Sequence, residues 1–390
     1  MTENTETQYP SHEMHYASFK QSIKAGKAEL SLAVILLVLY FYLRLENVSL
    51  DVVLLLGFII GAWLAFRPSE WAVDGIESGA GHLRLTAYVA GMLSSLVSNM
   101  PEAVVSGFTA YAGYAQNNQV LRDISVLSVL ISAGFNMLLL GMTIIVCTRK
   151  EKRMLVPDEV VKKDSVLIRW AFVALLAMFA LGVLELIYQA PISEASPPRF
   201  PPLPSLVLMS SYIIYAISLT REKRGNDSEV AKPHHTRRTA AALAAVGFVG
   251  IFIAGEMLTY SVEIMLEEYP ALAGSLGSEV TLPALLLGAA GALPEHGIAL
   301  VAAARGKTGL AVGNLIGGVL QIVLLVMGGI GFFVPIPMDR YVLFQILVIA
   351  GSLWFLKANL TDDHELDAYE GVLIMLLQAY VFAILIGRGF

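Results

Sequence analysis

Gly91 to Gly113 reads Gly-Met-Leu-Ser-Ser-Leu-Val-Ser-Asn-Met-Pro-Glu-Ala-Val-Val-Ser-Gly-Phe-Thr-Ala-Tyr-Ala-Gly. The segment is apolar and of membrane-spanning length, yet it carries an ionisable Glu102 and a helix-breaking Pro101 near its middle. A carboxylate at that depth is expensive, faces a bundle interior or a wet cavity, and marks a functional site by default. A second copy follows at Leu287 to Ala304, Leu-Gly-Ala-Ala-Gly-Ala-Leu-Pro-Glu-His-Gly-Ile-Ala-Leu-Val-Ala-Ala-Ala, with Pro294 and Glu295 at the corresponding place. Interrupted apolar segments at matching positions of two halves are the sequence signature of a transporter binding site.

The rest of the chain agrees with a membrane setting. Of 390 residues, 56% are hydrophobic, and the mean hydropathy is +0.67. That is too much apolar length for one soluble core and enough for many spans. The formal net charge of -6 says little about partners, since orientation in a bilayer follows local Lys and Arg placement, and no nucleic-acid partner is expected. The partners expected are inorganic cations and the lipid bilayer, with no cofactor. Cys147 is the single cysteine, so no intramolecular disulfide forms.

Residues 1–28 are polar and charged, unlike a signal peptide, and are expected to be a cytosolic tail. About eleven apolar segments follow, at 29–46, 50–66, 83–113, 122–147, 165–187, 203–220, 239–260, 277–304, 308–331, 338–356 and 369–387. The segment 50–66 is the shortest, with Arg67 and Pro68 beyond its end, and only 47–49 separates it from 29–46, so the two form a hairpin. Lys and Arg concentrate in the tail, in 148–164 and in 221–238, while 188–202 and 261–280 are poor in them. The positive-inside rule then puts the N-terminus in the cytoplasm and the C-terminus outside. An integral protein of the cell membrane is expected.

The fold expected is all-α and polytopic: an extra leading helix at 29–46, a first five-helix repeat at 47–220, a cytosolic linker at 221–238, and a second five-helix repeat at 239–390. Five is odd, so the repeats are inverted relative to one another and their Pro-Glu segments face each other near the midplane.

Within the first copy, Ser94, Ser98, Glu102 and Ser106 recur every four residues and share a helix face. The next span carries Ser125, Ser128, Ser132 and Asn136. Pro101 removes a backbone donor and frees the carbonyl of Val97. Carboxylate, hydroxyl, amide and carbonyl oxygens are the ligands calcium takes. The second copy offers fewer oxygens: Gly288, Gly291 and Ala299 share the Glu295 face, and the next span contributes Asn314 and Gln321 among glycines. Gly313 and Gly317 have two readings, close helix packing or backbone lining of a cation site. His296 follows Glu295 but lies about 100° round the helix, so it is either a proton relay or a packing residue. Glu185 and Glu256 lie near span ends and read as interfacial. The 362–367 stretch, Asp-Asp-His-Glu-Leu-Asp, is either a solvated acidic loop or a metal sensor.

Ser-Asn-Met-Pro-Glu (98–102) with Ser-Ala-Gly-Phe-Asn (132–136), and Gly-Ala-Leu-Pro-Glu (291–295) with Gly-Asn-Leu-Ile-Gly-Gly (313–318), resemble the two alpha repeats of the calcium/cation antiporter superfamily, which includes the sodium/calcium exchangers. The resemblance implies the 5+5 inverted fold, secondary-active Ca2+ antiport without enzymatic activity, and Glu102 and Glu295 as central cation ligands. Ser98, Ser132 and Asn136 match further ligand positions. Gly291, Ala292, Gly318 and Ile322 stand where sodium/calcium exchangers carry oxygen-bearing residues. Glu295-His296, Gln321, Asn99 and the leading helix instead resemble the calcium/proton branch. The function expected is Ca2+/H+ antiport, with Na+/Ca2+ exchange, exchange of another cation, and a cation channel as alternatives.

Overall fold

The computed structural model describes residues 26–46, 48–149, 153–155, 158–188, 198–221, 231–304, 315–362 and 365–388. They form helices α1 (Lys27–Leu45), α2 (Leu50–His82), α3 (Ala87–Ser98), α4 (Met100–Ala115) and α5 (Gln119–Thr148). Strand β1 (Arg153–Leu155) follows, then α6 (Asp158–Tyr188), α7 (Pro202–Arg221), α8 (Arg237–Glu268), the short α9 (Pro270–Ala273) and α10 (Thr281–Ala304). The chain closes with α11 (Leu315–Phe333), α12 (Arg340–Asp362), strand β2 (Glu365–Asp367) and α13 (Ala368–Arg388). Among the described residues, eight helices are long and apolar enough to cross a membrane, or nine if the pair 270–276 and 281–292, bent by 80°, is one span. The apolar part of α7, Pro202–Ser218, is shorter, and α3 and α4 are two short helices meeting at Asn99.

The helix starts are locally encoded. Thr86, Asn118 and Thr236 each turn a side-chain oxygen onto the first free amides of α3, α5 and α8. This satisfies donors that lack intrahelical partners, worth about 1 kcal/mol per cap.

At the centre lie α5 and α11, whose apolar windows are each 72% buried, against 6% for α1. α5 packs on α4, α10, α12 and α13. The outward side chains of α1, including Leu32, Ile35, Val38 and Tyr42, are exposed as befits a lipid-facing surface. Apolar contact does little to hold such a helix in hydrocarbon, so polar contacts fix its place. Near one end Glu29 accepts from Trp63 Nε1 at 3.0 Å and Arg67 Nε at 2.8 Å on α2. Near the other, Arg44 pairs with Glu256 on α8 at 2.6 Å and lies 3.8 Å from the ring centroid of Tyr260. Glu256 therefore has a partner inside the protein and is more than an interfacial charge.

The expected hairpin of the first two spans is present, but the expected end at residue 66 is not. α2 runs on through Arg67 and Pro68 as one 33-residue helix, about 50 Å long. Arg67 is accommodated by Glu29 and by Glu70, the latter at 2.8 Å. At Pro68, α8 presents Gly247 and Gly250, and their lack of side chains lets the two helices pack closely there. α8 likewise continues to Glu268, eight residues past the expected 260.

The loops sort into two sets at opposite helix ends. Ala231 donates to the Leu85 carbonyl at 3.0 Å, and β1 pairs antiparallel with β2, Arg153 opposite Asp367 and Leu155 opposite Glu365. At the other ends Gln116 donates to Glu263 at 2.8 Å, Arg199 Nη1 donates to Asp123 at 3.0 Å and to the Pro335 carbonyl at 3.2 Å, and Phe200 donates to the Ile336 carbonyl at 2.8 Å. The β1–β2 pair is a small departure from the all-α expectation, and it uses the acidic stretch structurally. Glu365 pairs with Arg153 at 2.8 Å, and Asp367 accepts from the Glu370 amide at 2.8 Å. The neighbouring Asp363 and His364 lie outside the described residues.

A Cβ on Gly247 would sit 2.5 Å from the Pro68 carbonyl oxygen and 2.6 Å from the Ala72 amide nitrogen, so α2 and α8 must part to admit it. Gly247→Ala is expected to lower the thermal midpoint in detergent, at a cost of about 1–3 kcal/mol. Gly351→Ala, which meets nothing within 4 Å, should leave it unchanged or slightly higher. Equal behaviour of the two variants contradicts this packing.

Candidate functional site

α3 ends and α4 begins at Asn99, whose backbone sits at φ -90, ψ 0. Pro101 lies in the first turn of α4, where a missing amide hydrogen costs least, so the sequence that interrupts the span also starts a new helix within it. Glu102 falls in that first turn, beside the positive end of the α4 dipole. It is 2% exposed. A charge buried so deeply needs compensation, and the Ser132 hydroxyl on α5 donates to its Oε1 at 3.1 Å.

The two oxygen stripes expected from sequence meet one another. Ser132 contacts Glu102, and one turn away Ser106 Oγ lies 3.2 Å from Ser128 Oγ, so α4 and α5 run antiparallel in a fixed register. Ser98, across the break on α3, and Asn136, one turn beyond Ser132 on α5, are both buried, at 1% and 0% exposure. Ser98 Oγ also donates to the Ser95 carbonyl at 2.8 Å. Ser125 and Ser128 donate to carbonyls within α5, of Arg122 and Ser125. Ser94 likewise donates to the Ala90 carbonyl at 2.9 Å and is only partly buried, so it stands apart from the cluster.

The other side of Glu102 is closed by the second copy. A Cβ on Gly291 would come within 2.9 Å of Glu102 Cγ and 3.3 Å of its Cα, so only glycine allows α10 this close to the carboxylate. Gly291, four residues before Glu295 on α10, is thereby brought against Glu102 of the first copy. The α10 backbone continues through Glu295 and His296, whose side chains lie outside the described residues, as do Gly313 and Asn314.

A second polar link was not anticipated from sequence. Asn99 Nδ2 donates to Gln321 Oε1 at 2.6 Å and to the Ser95 carbonyl at 2.9 Å, and Ser95 Oγ lies 3.4 Å from the same Gln321 oxygen. Gln321 opens a π-helical stretch, Gln321–Val326, within α11. Such widened turns recur at functional sites. Ser95 and Asn99 are four residues apart and share a face, which is the signal available in the sequence; it was masked by the longer Ser94-to-Ser106 stripe on the neighbouring face. A cavity of about 150 Å³ adjoins this link, lined by apolar side chains such as Leu96, Met100, Leu325 and Ile330. Asn99 and Gln321 are its only polar lining residues among those described, and Asn99 Oδ1 has no hydrogen-bond partner among them. Further along α4, Thr109 Oγ1 lies 3.0 Å from Thr259 Oγ1 of α8. Chemically, the centre is a buried carboxylate with a hydroxyl on it and an amide pair on the adjoining helix face, oxygen donors of the kind a hard cation or a proton takes.

Comparison with known proteins places this arrangement in context. The model of a family described as sodium/calcium exchanger protein matches residues 52–221 and 239–387. An uncharacterized membrane protein of Methanocaldococcus jannaschii is 23% identical over 332 residues, covering 84% of this chain and 95% of its own. Among solved structures, the sodium-calcium exchanger NCX_Mj superimposes with a TM-score of 0.57 at 21% identity, covering 84% of this chain and 96% of its own. The H+/Ca2+ exchanger CAX gives 0.66 at 17% identity, covering 95% and 94%. Native YfkE gives 0.64 at 16%, covering 92% and 98%. These structures share the polytopic helical fold with this chain.

The amide link between α3–α4 and α11 is testable by itself. Alanine at Asn99, at Gln321 and at both should give thermal midpoints whose double-mutant cycle shows about 0.5–3 kcal/mol of coupling. Additive effects mean the two side chains do not touch.

Proposed function

The chain belongs to the sodium/calcium exchanger protein family, within the calcium/cation antiporter superfamily, and on that premise we propose that it moves Ca2+ across the membrane in exchange for H+. The carrying observation is the closure of Glu102 between Ser132 and Gly291. It sets the carboxylate of one Pro-Glu segment against the backbone of the other. Glu102 and Glu295 are the proposed central ligands. Ser98, Asn99, Ser132, Asn136 and Gln321 supply neutral oxygens, and His296 is a candidate for proton transfer beside Glu295.

Two inverted five-span halves, 47–220 and 239–390, joined by a cytosolic linker, belong to the same reading. The loop sets support it, because the ends that meet in space are those an odd number of spans per half would bring to one side. In this orientation the N-terminus and the 221–238 linker are cytosolic, the C-terminus is outside, and the protein resides in the cell membrane. Alternating access then exposes the midplane site to each side in turn.

Proton coupling follows from what the second half lacks. Sodium sites beyond the carboxylate pair require additional oxygens, and Gly291, Ala292 and Ile322 are buried positions without side-chain oxygen. Protons need only the carboxylates, which cannot both stay charged in a poorly solvated site without a cation. The overall fold does not separate the branches, since a sodium-calcium and an H+/Ca2+ exchanger both match it.

In proteoliposomes a pH gradient is expected to drive Ca2+ movement, and a sodium gradient at fixed pH is not. The reverse result assigns the chain to sodium coupling with the ligands unchanged. Glu102→Gln and Glu295→Gln should each abolish Ca2+ movement while the protein still inserts; residual exchange in either removes that glutamate from the essential set. An accessibility reporter at Asn226 should read cytosolic and one at Glu267 extracytosolic, and finding both on one side defeats the inverted repeat.

A further inference from the structure

We propose that Asp74, Glu77 and His234 form a second cation site, remote from Glu102, that takes a zinc-class divalent ion. Each of the three offers one ligand atom, and these atoms lie within 4.8 Å of one another. They come from two parts of the chain. Asp74 and Glu77 are three residues apart on α2 and therefore share a face. His234 belongs to the described end of the linker, just before the Thr236 cap of α8.

That linker end is fastened to α2. Ala231 donates to the Leu85 carbonyl at 3.0 Å, the His235 amide donates to Ser78 Oγ at 3.0 Å, and His82 Nε2 lies 2.7 Å from the His235 carbonyl. His234 is thus anchored on both sides while its own ring stays exposed to water. Its Nδ1 faces the Lys232 carbonyl at 3.4 Å. A carbonyl only accepts, so this contact is a hydrogen bond in the tautomer with hydrogen on Nδ1, and that tautomer leaves Nε2 its lone pair. Ligating histidines are held in this way, one ring nitrogen giving its hydrogen to a carbonyl and the other facing the metal.

The donor set selects the ion. One imidazole with two carboxylates suits Zn2+, Co2+ or Mn2+, whereas Ca2+ takes oxygens alone and about six to eight of them. In a tetrahedral zinc site with ligand bonds of about 2.1 Å, donor atoms stand about 3.4 Å apart, so a small contraction of the three side chains completes the geometry and leaves one position for water. Asp74 is half-buried and Glu77 and His234 are exposed, so the site is open to the aqueous phase that bathes the linker. An ion held there staples the linker to α2 at the point where it becomes α8, and these are the two long helices packed through Pro68 and Gly247.

The test uses the full chain in detergent, stripped with chelator and then given Zn2+ in the presence of millimolar Ca2+ to occupy calcium-selective sites. One Zn2+ per chain should be retained, and it should raise the thermal midpoint. His234→Gln and Glu77→Gln should each weaken Zn2+ binding at least tenfold and remove the thermal effect, with Ca2+ movement in proteoliposomes kept. Co2+ in place of Zn2+ should give a visible absorption band that His234→Gln abolishes. Retention of no Zn2+ by the unmodified chain, or unaltered affinity in His234→Gln, overturns the proposal. The former leaves the cluster as an imidazole between two carboxylates and nothing more. Because the readout is Zn2+ retention under saturating Ca2+, it stands or falls separately from the coupling ion of the Glu102 region.

Discussion

The structure depends on how one carboxylate is kept inside a hydrocarbon-spanning bundle. Glu102 is 2% exposed, and moving a bare charge to such a place costs several kcal/mol even after relaxation. Three features offset that cost at once. The chain breaks at Asn99, so the positive end of α4 lies at depth beside the charge. The α5 register sets a hydroxyl against Oε1. Gly291 lets α10 close over the side chain and exclude lipid. Each depends on the others, since a continuous helix through Asn99 would bring no dipole end to Glu102, and a side chain at 291 would push α10 off it.

The broken span presents two faces with different duties. Glu102 and Ser106 look towards α5, while Ser95 and Asn99 look towards Gln321 on α11. One stretch of sequence thereby ties both of the most buried helices to the site. α5 and α11 sit at the centre, while α1, which makes no contact with the site among the described residues, lies at the periphery and is held by Glu29 and Arg44.

Much of this was legible from sequence because the strongest signals are physical necessities. A Pro-Glu pair in an apolar run predicts both a helix break and an inward face; both hold at Asn99 and Glu102, whereas the break expected at the second pair is absent, since α10 runs unbroken through Pro294 and Glu295. The four-residue step of the serine stripes is the step by which α4 and α5 engage at Glu102 and Ser106, while Ser94, on the far side of the break, drops out of the face. Long-range compensation was not legible. Arg67 and Pro68 look like a span terminus until Glu29, distant in sequence, and Gly247, on another helix, are known. The Asn99–Gln321 link was hidden for a similar reason: each residue had been noted, yet nothing local says that the turn at Gln321 widens to bring them together. The linker was read as a passive connection, and its docking on α2 depends on Ser78 and His82, polar residues at the end of a helix judged too short to reach it.

The neutrality of the surrounding donors bears directly on the proposed exchange. Hydroxyl and amide groups from Ser98, Asn99, Ser132, Asn136 and Gln321 add no charge, so the charge of the site is set by its carboxylates. In the proposed site Glu102 and Glu295 together carry two negative charges, which one Ca2+ would cancel, and so would two protons. Either loaded form crosses the low-dielectric midplane as a neutral unit, whereas the empty site carries its full charge there and reorients at great cost. An amide link to α11 suits this arrangement better than an ion pair. A charged residue at 99 or 321 would add a term that protons and Ca2+ could not both balance, and one of the two loaded forms would no longer be free to move.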